Sequence, residues 1–100
     1  MLFFPSLAQA HAILVESAPP LDATIPAGIT RLLLRFNSRI DHARSRLTLA
    51  DKAALPLLPA GPAGLAADVT LTPGPQVVRW QVLATDGHVT RGELRFTVAP

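Results

Sequence analysis

The chain contains no cysteine. That absence excludes disulfide staples and any zinc–thiolate site. Tyrosine is missing too, and Trp80 is the only tryptophan. Nucleic-acid binding surfaces combine a clustered basic stripe with stacking aromatic rings. The chain has no such combination, so nucleic acid is not an expected partner. Charge is sparse, with 16% charged residues and a formal net charge of +2. No apolar run reaches the roughly 18–20 residues that a membrane-crossing helix needs. The most apolar stretch, residues 53–67, is interrupted by Pro56, Pro59, Gly61, Pro62 and Gly64. It therefore reads as a loop. There is no sustained 3.6-residue period of helical length and no internal repeat. At 100 residues the chain is too short for a two-domain enzyme or a barrel of alternating strands and helices. Its 49% hydrophobic content argues against disorder.

What is present is two-residue alternation. Leu32, Leu34 and Phe36 share one face of a strand whose other face carries Arg31 and Arg35. Leu47 and Leu49 alternate with Arg46, Thr48 and Ala50, and Val69 and Leu71 with Asp68, Thr70 and Thr72. Val78, Trp80 and Val82 alternate with Arg79 and Gln81; Leu94, Phe96 and Val98 alternate with Glu93, Arg95 and Thr97. Pro19-Pro20, Pro26-Ala27-Gly28, Pro73-Gly74-Pro75 and Asp86-Gly87 mark turns between them. Short alternating strands at this spacing predict an all-β antiparallel sandwich or small barrel, with Trp80 anchoring the core. Arg31 and Arg35, two of the five arginines between positions 31 and 46, fall on an outward face and read as solvated.

The N-terminal segment differs in kind. Leu2-Phe3-Phe4 followed by Ala8-Gln9-Ala10 has the apolar and small-x-small features of the end of a secretory leader. Residues 1–10 are therefore expected to be the tail of a signal peptide. Cleavage after Ala10 would make His11 the first residue of a mature domain spanning 11–100. A terminal histidine offers two nitrogens, its α-amine and imidazole Nδ1, which close a chelate ring on one metal. The α-amine loses its proton near neutral pH far more readily than a lysine does.

A second candidate is Asp86-Gly87-His88. Side chains two residues apart project to one side of an extended segment, and Gly87 lets the backbone turn. His11, Asp86 and His88 together supply three nitrogens and one oxygen. That set suits tetragonal Cu(II), which outranks Zn(II) for such donors. Asp-Gly is also a common turn, so an exposed structural histidine stays open at position 88. His42 follows Asp41 in a polar connection and reads as a surface residue, not a ligand.

These residues resemble a known family. His11-Ala12, Ser17-Ala18-Pro19, Pro26, Leu34-Arg35-Phe36-Asn37, Val78-x-Trp80-x-Val82, Thr85-Asp86-Gly87-His88 and Gly92-x-Leu94-x-Phe96-x-Val98 are similar to the pattern of the CopC family of periplasmic copper-resistance proteins. The resemblance runs from His11 to Val98. It implies a seven-stranded Greek-key β-sandwich of the cupredoxin- or immunoglobulin-like kind. It implies one Cu(II) per chain held at His11, Asp86 and His88. It further implies a periplasmic, monomeric carrier or store without catalysis, working beside an inner-membrane copper transport protein. Some members bind Cu(I) through a methionine-rich loop. The only methionine here is Met1, so no Cu(I) site is expected. Some members also place an acid near the copper where this chain has Ser38. Two other classes stay open at this point: a copper monooxygenase using an N-terminal histidine chelate, and a metal-free structural sandwich.

Overall fold

The computed structural model describes residues 12–100. Seven strands make up the fold: β1 (Leu14–Ala18), β2 (Thr24–Ile25), β3 (Gly28–Phe36), β4 (Arg46–Leu49), β5 (Gly64–Leu71), β6 (Gly74–Leu83) and β7 (Val89–Val98). One 3₁₀ turn, His42–Arg44, precedes β4. The strands form two sheets, ordered β1-β3-β5 and β2-β7-β6-β4. The chain passes from one sheet to the other at every connection up to β6, then closes with the β6–β7 hairpin. This is the all-β Greek-key sandwich that the alternation pattern and the family resemblance lead one to expect.

The two inner faces carry the alternating apolar residues. Leu32, Leu34 and Phe36 of β3 meet Leu47, Val78, Trp80, Val82, Leu94, Phe96 and Val98 of the opposite sheet, all buried. The Trp80 ring packs edge-on to Phe36, with centroids 5.0 Å apart and planes at 68°. In register, Trp80 faces Gly92 across β6 and β7. An ideal Cβ at Gly92 would lie only 2.6 Å from Trp80 Cε2 and 3.0 Å from its Nε1. Gly92 thus gives the indole its space, and no larger residue can do so without movement.

The outward arginines of the first sheet are solvated and paired. Arg31 donates from Nε to Asp68 Oδ1 at 2.7 Å, and Arg35 from Nε to Glu16 Oε1 at 2.9 Å. The hydrogen bond from Arg31 holds the Asp68 carboxyl below the ordinary carboxylate range.

Two readings of the sequence need correction. Residues 53–67, read as loop throughout, contain the start of β5 at Gly64. Leu65, Ala66 and Ala67 are all buried, so no alternation marks them. The preceding segment folds back alongside β5, with Leu58 bridging Ala66 at the edge that β3 leaves open. The β1 and β2 strands also gave no periodic signal. β1 carries a register irregularity between Leu14 and Glu16, and β2 has only two residues, paired parallel to β7.

Candidate metal centre

Asp86 and His88 sit on the turn that joins the two ten-residue strands β6 and β7. The last ladder pair is Leu83 with Val89. Beyond it, Ala84 N–H donates to His88 O at 2.8 Å and Gly87 N–H donates to Ala84 O at 2.8 Å. Gly87 has φ +98°, a conformation that L side chains rarely adopt. A tight turn followed by a positive-φ glycine fits the right-handed twist of the flanking strands. It also brings the side chains on either side of Gly87 together. Asp86 Oδ1 accepts the His88 backbone N–H at 3.1 Å and lies 3.1 Å from His88 Nδ1. Both side chains are about half exposed.

That spacing has a simple coordination meaning. Two ligand atoms each about 2.0–2.2 Å from one ion, at right angles, are roughly 3 Å apart. One carboxylate oxygen and one imidazole nitrogen are therefore already at the separation of neighbouring ligands on a tetragonal ion. A proton shared between them as a hydrogen bond gives the same distance.

The other half of the expected site is His11. His11 lies outside the described residues. Among the described residues no cluster of three or more His, Cys, Asp or Glu side chains is arranged to hold a metal. The residues that follow His11 are firmly placed. Ala12 is fully buried in the core. Ile13 N–H donates to Asn37 Oδ1 at 2.8 Å, and Asn37 N–H donates back to Ile13 O at 3.0 Å. From Asn37 the chain runs directly to the turn: Thr85 N–H donates to Arg39 O at 3.2 Å, Ile40 bridges Ala84, and Asp41 N–H donates to Leu83 O at 2.8 Å. Residues 37–41 therefore span from the N-terminal segment to the Asp86–His88 turn. Asn37 holds Ile13 through both its side-chain oxygen and its backbone N–H, a contact that the sequence reading did not single out. Its only signal was a side-chain amide oxygen, able to accept a backbone N–H, at the end of an alternating strand.

The remaining candidates separate cleanly. His42 is exposed and its Nε2 lies 2.9 Å from Gly64 O, on the 3₁₀ turn rather than at the hairpin tip. Ser38 is half-buried, and its Oγ has no hydrogen-bond partner among the described residues.

The fold is a two-sheet β-sandwich with an acid–imidazole pair at one hairpin tip. The CopC domain family model matches residues 14–99, and the chain belongs to that family. Its members are copper-binding resistance proteins, not enzymes. Among solved structures, CopC from Methylosinus trichosporium OB3b aligns with a TM-score of 0.78 at 28% identity, covering 90% of this chain and 95% of that one. PcoC, a methionine-rich copper resistance protein from Escherichia coli, aligns with a TM-score of 0.72 at 22% identity. That alignment covers 89% of this chain and 99% of PcoC, and at this identity it speaks to the fold alone. No curated protein matches the chain significantly.

Proposed function

We propose that this protein binds one Cu(II) in the periplasm and serves copper resistance and homeostasis as a carrier or store. Copper is its cargo, and no catalytic step is involved. In this reading residues 1–10 are removed on export, and the mature domain begins at His11. His11 contributes its α-amine and imidazole, Asp86 a carboxylate oxygen and His88 an imidazole nitrogen. The monomeric, loaded protein hands its ion to an inner-membrane copper transport protein.

The observation that carries the proposal is the 3.1 Å separation of Asp86 Oδ1 and His88 Nδ1 on a turn reached directly from Ile13 through residues 37–41. Family membership and the likeness to a 28%-identical CopC support it. The donor set of nitrogens and one oxygen favours Cu(II) over Cu(I), and Met1 is the only thioether in the chain.

The test is a Cu(II) titration of the exported protein, with its first residue fixed by mass spectrometry. Full affinity is expected when the chain starts at His11. Affinity should drop when one residue is added ahead of His11, and again for His88→Ala. Equal affinity in all three would refute the ligand set, as would an exported chain that starts elsewhere and still binds one Cu(II) tightly.

A further inference from the structure

The outer faces of the two sheets treat their arginines differently. On the first sheet, Arg31 and Arg35 each meet a cross-strand carboxylate. On the second, Arg79 meets both Asp51 and Glu93, at 2.8 and 2.9 Å. Among the described residues, Arg46 and Arg91 have no such carboxylate partner. Both point to a single neutral atom: Arg46 Nη2 lies 3.4 Å from Gln81 Oε1 and Arg91 Nε 2.7 Å from it. The register explains the convergence, because Arg46, Gln81 and Arg91 stand opposite one another across β4, β6 and β7. Among the described residues no carboxylate reaches ion-pair distance of either guanidinium. Two like charges are held against one amide oxygen, with most of their donors still unused.

These residues line a groove of about 640 Å³. Its floor is the outer face of β4, β6 and β7, and one wall is the segment that follows β4, including Ala50, Lys52 and Ala54. Arg46, Lys52, Arg79 and Arg91 face it against only Asp51 and Glu93, a surplus of two positive charges. The whole chain has a net charge of +2, so the surplus of the entire protein is matched in this one depression.

We infer that this groove is a docking site for an extended acidic segment of a partner polypeptide. A carboxylate placed between Arg46 and Arg91 would accept charge-assisted hydrogen bonds from both and relieve their mutual repulsion. An inorganic anion would occupy only a small part of 640 Å³. An extended chain fills it, laying small residues on Ala50 and Ala54 and presenting a side chain to the arginines at every second position. Arg91 stands two register steps from the end of β7 that enters the turn, about 7 Å along the strand. A partner seated here would lie beside the Asp86–His88 turn. Only that consequence, placement for copper transfer, rests on the proposed function; the docking itself does not.

The experiment uses the full chain without copper and a fluorescein-labelled decapeptide of alternating Asp and Ala, followed by anisotropy at low salt. Arg46→Gln/Arg91→Gln is expected to weaken binding about tenfold or more, because it removes both unpaired cations. Arg31→Gln/Arg35→Gln removes the same charge from the opposite sheet and should change affinity less than about twofold. Circular dichroism checks that both variants stay folded. Equal losses in the two variants would overturn the proposal by making the effect one of net charge. Absence of wild-type binding up to about 1 mM peptide would overturn it as well. So would displacement of the peptide by equimolar inorganic phosphate, which points to a small-anion site, or tighter binding of a single-stranded oligonucleotide through the same arginines.

Discussion

Replacing Gly92 with alanine adds one methyl group, and the structure says where it must go. The new Cβ would lie 2.6 Å from Trp80 Cε2, inside any ordinary carbon–carbon contact, and 3.0 Å from Nε1. The indole has little room to retreat. It is 8% exposed and packs edge-on to Phe36, itself 2% exposed. Relief therefore requires an off-rotamer tryptophan or a shift of β7 against β6, which costs about 1–3 kcal/mol in a packed core. For a domain of this size each kcal/mol lowers Tm by about 4–8 °C, so Gly92→Ala should melt roughly 5–20 °C below the parent. Trp80 is the sole tryptophan, so its emission also reports the displacement. A double-mutant cycle with Trp80→Leu completes the assay. The alanine should cost markedly less once the indole is gone, because the two residues touch. A Tm within about 1 °C of the parent, or a penalty unchanged by Trp80→Leu, would refute the claim that this glycine exists to make space.

Other outcomes follow from the same structure. Asp86→Asn and His88→Ala should each reduce Cu(II) affinity by about a hundredfold or more, since even outer-shell changes cost 10–100-fold. The metal-free Tm of both should stay within a degree or two, because the substituted side chains sit on an exposed turn. Asn37→Ala removes the acceptor for Ile13 N–H and should cost about 1 kcal/mol in denaturant unfolding. It should also weaken Cu(II) binding, whereas Ser17→Ala, a control remote from the turn, should not. Hydrogen bonds from Arg95 and Arg79 hold the Glu93 carboxyl below its ordinary range, as Arg31 does for Asp68. Their contribution to stability is present above the unfolded carboxylate pKa and is lost as pH falls through the lowered folded values. Urea midpoints measured from pH 5 down to pH 2 should fall less steeply in Asp68→Asn/Glu93→Gln than in the parent. Parallel curves would show that these pairs do not contribute.

The legibility of the fold depended on how each strand meets water. β3, β4, β6 and β7 have one wet face, so their apolar residues recur at every second position, and all four were readable. The first half of β5 is covered on both faces, and Leu65-Ala66-Ala67 carries no period to read. Glycines and prolines in the preceding segment suggested loop, and that segment is indeed loop; it runs alongside the strand and bridges it at Leu58 and Ala66. At the candidate site, the sequence placed Asp86 and His88 together because one glycine between them permits a turn. It could not place the 37–41 bridge, which joins Asn37 to Ile13, 24 positions away, and Arg39, Ile40 and Asp41 to residues 83–85 through backbone groups common to every residue. Nor could it separate the paired arginines from the unpaired ones, because that depends on cross-strand register and not on composition.

The β6–β7 ladder has one more consequence. Its ten paired positions secure both arms of the hairpin well inside the sandwich, while the tip projects beyond the last pair. The tip can thus change its chemistry without the core being repacked. Substituting other donors at 86 and 88 while leaving Gly87 in place should retune which ion the tip prefers on an unaltered scaffold. The hairpin is in that sense an exchangeable bit on a fixed handle.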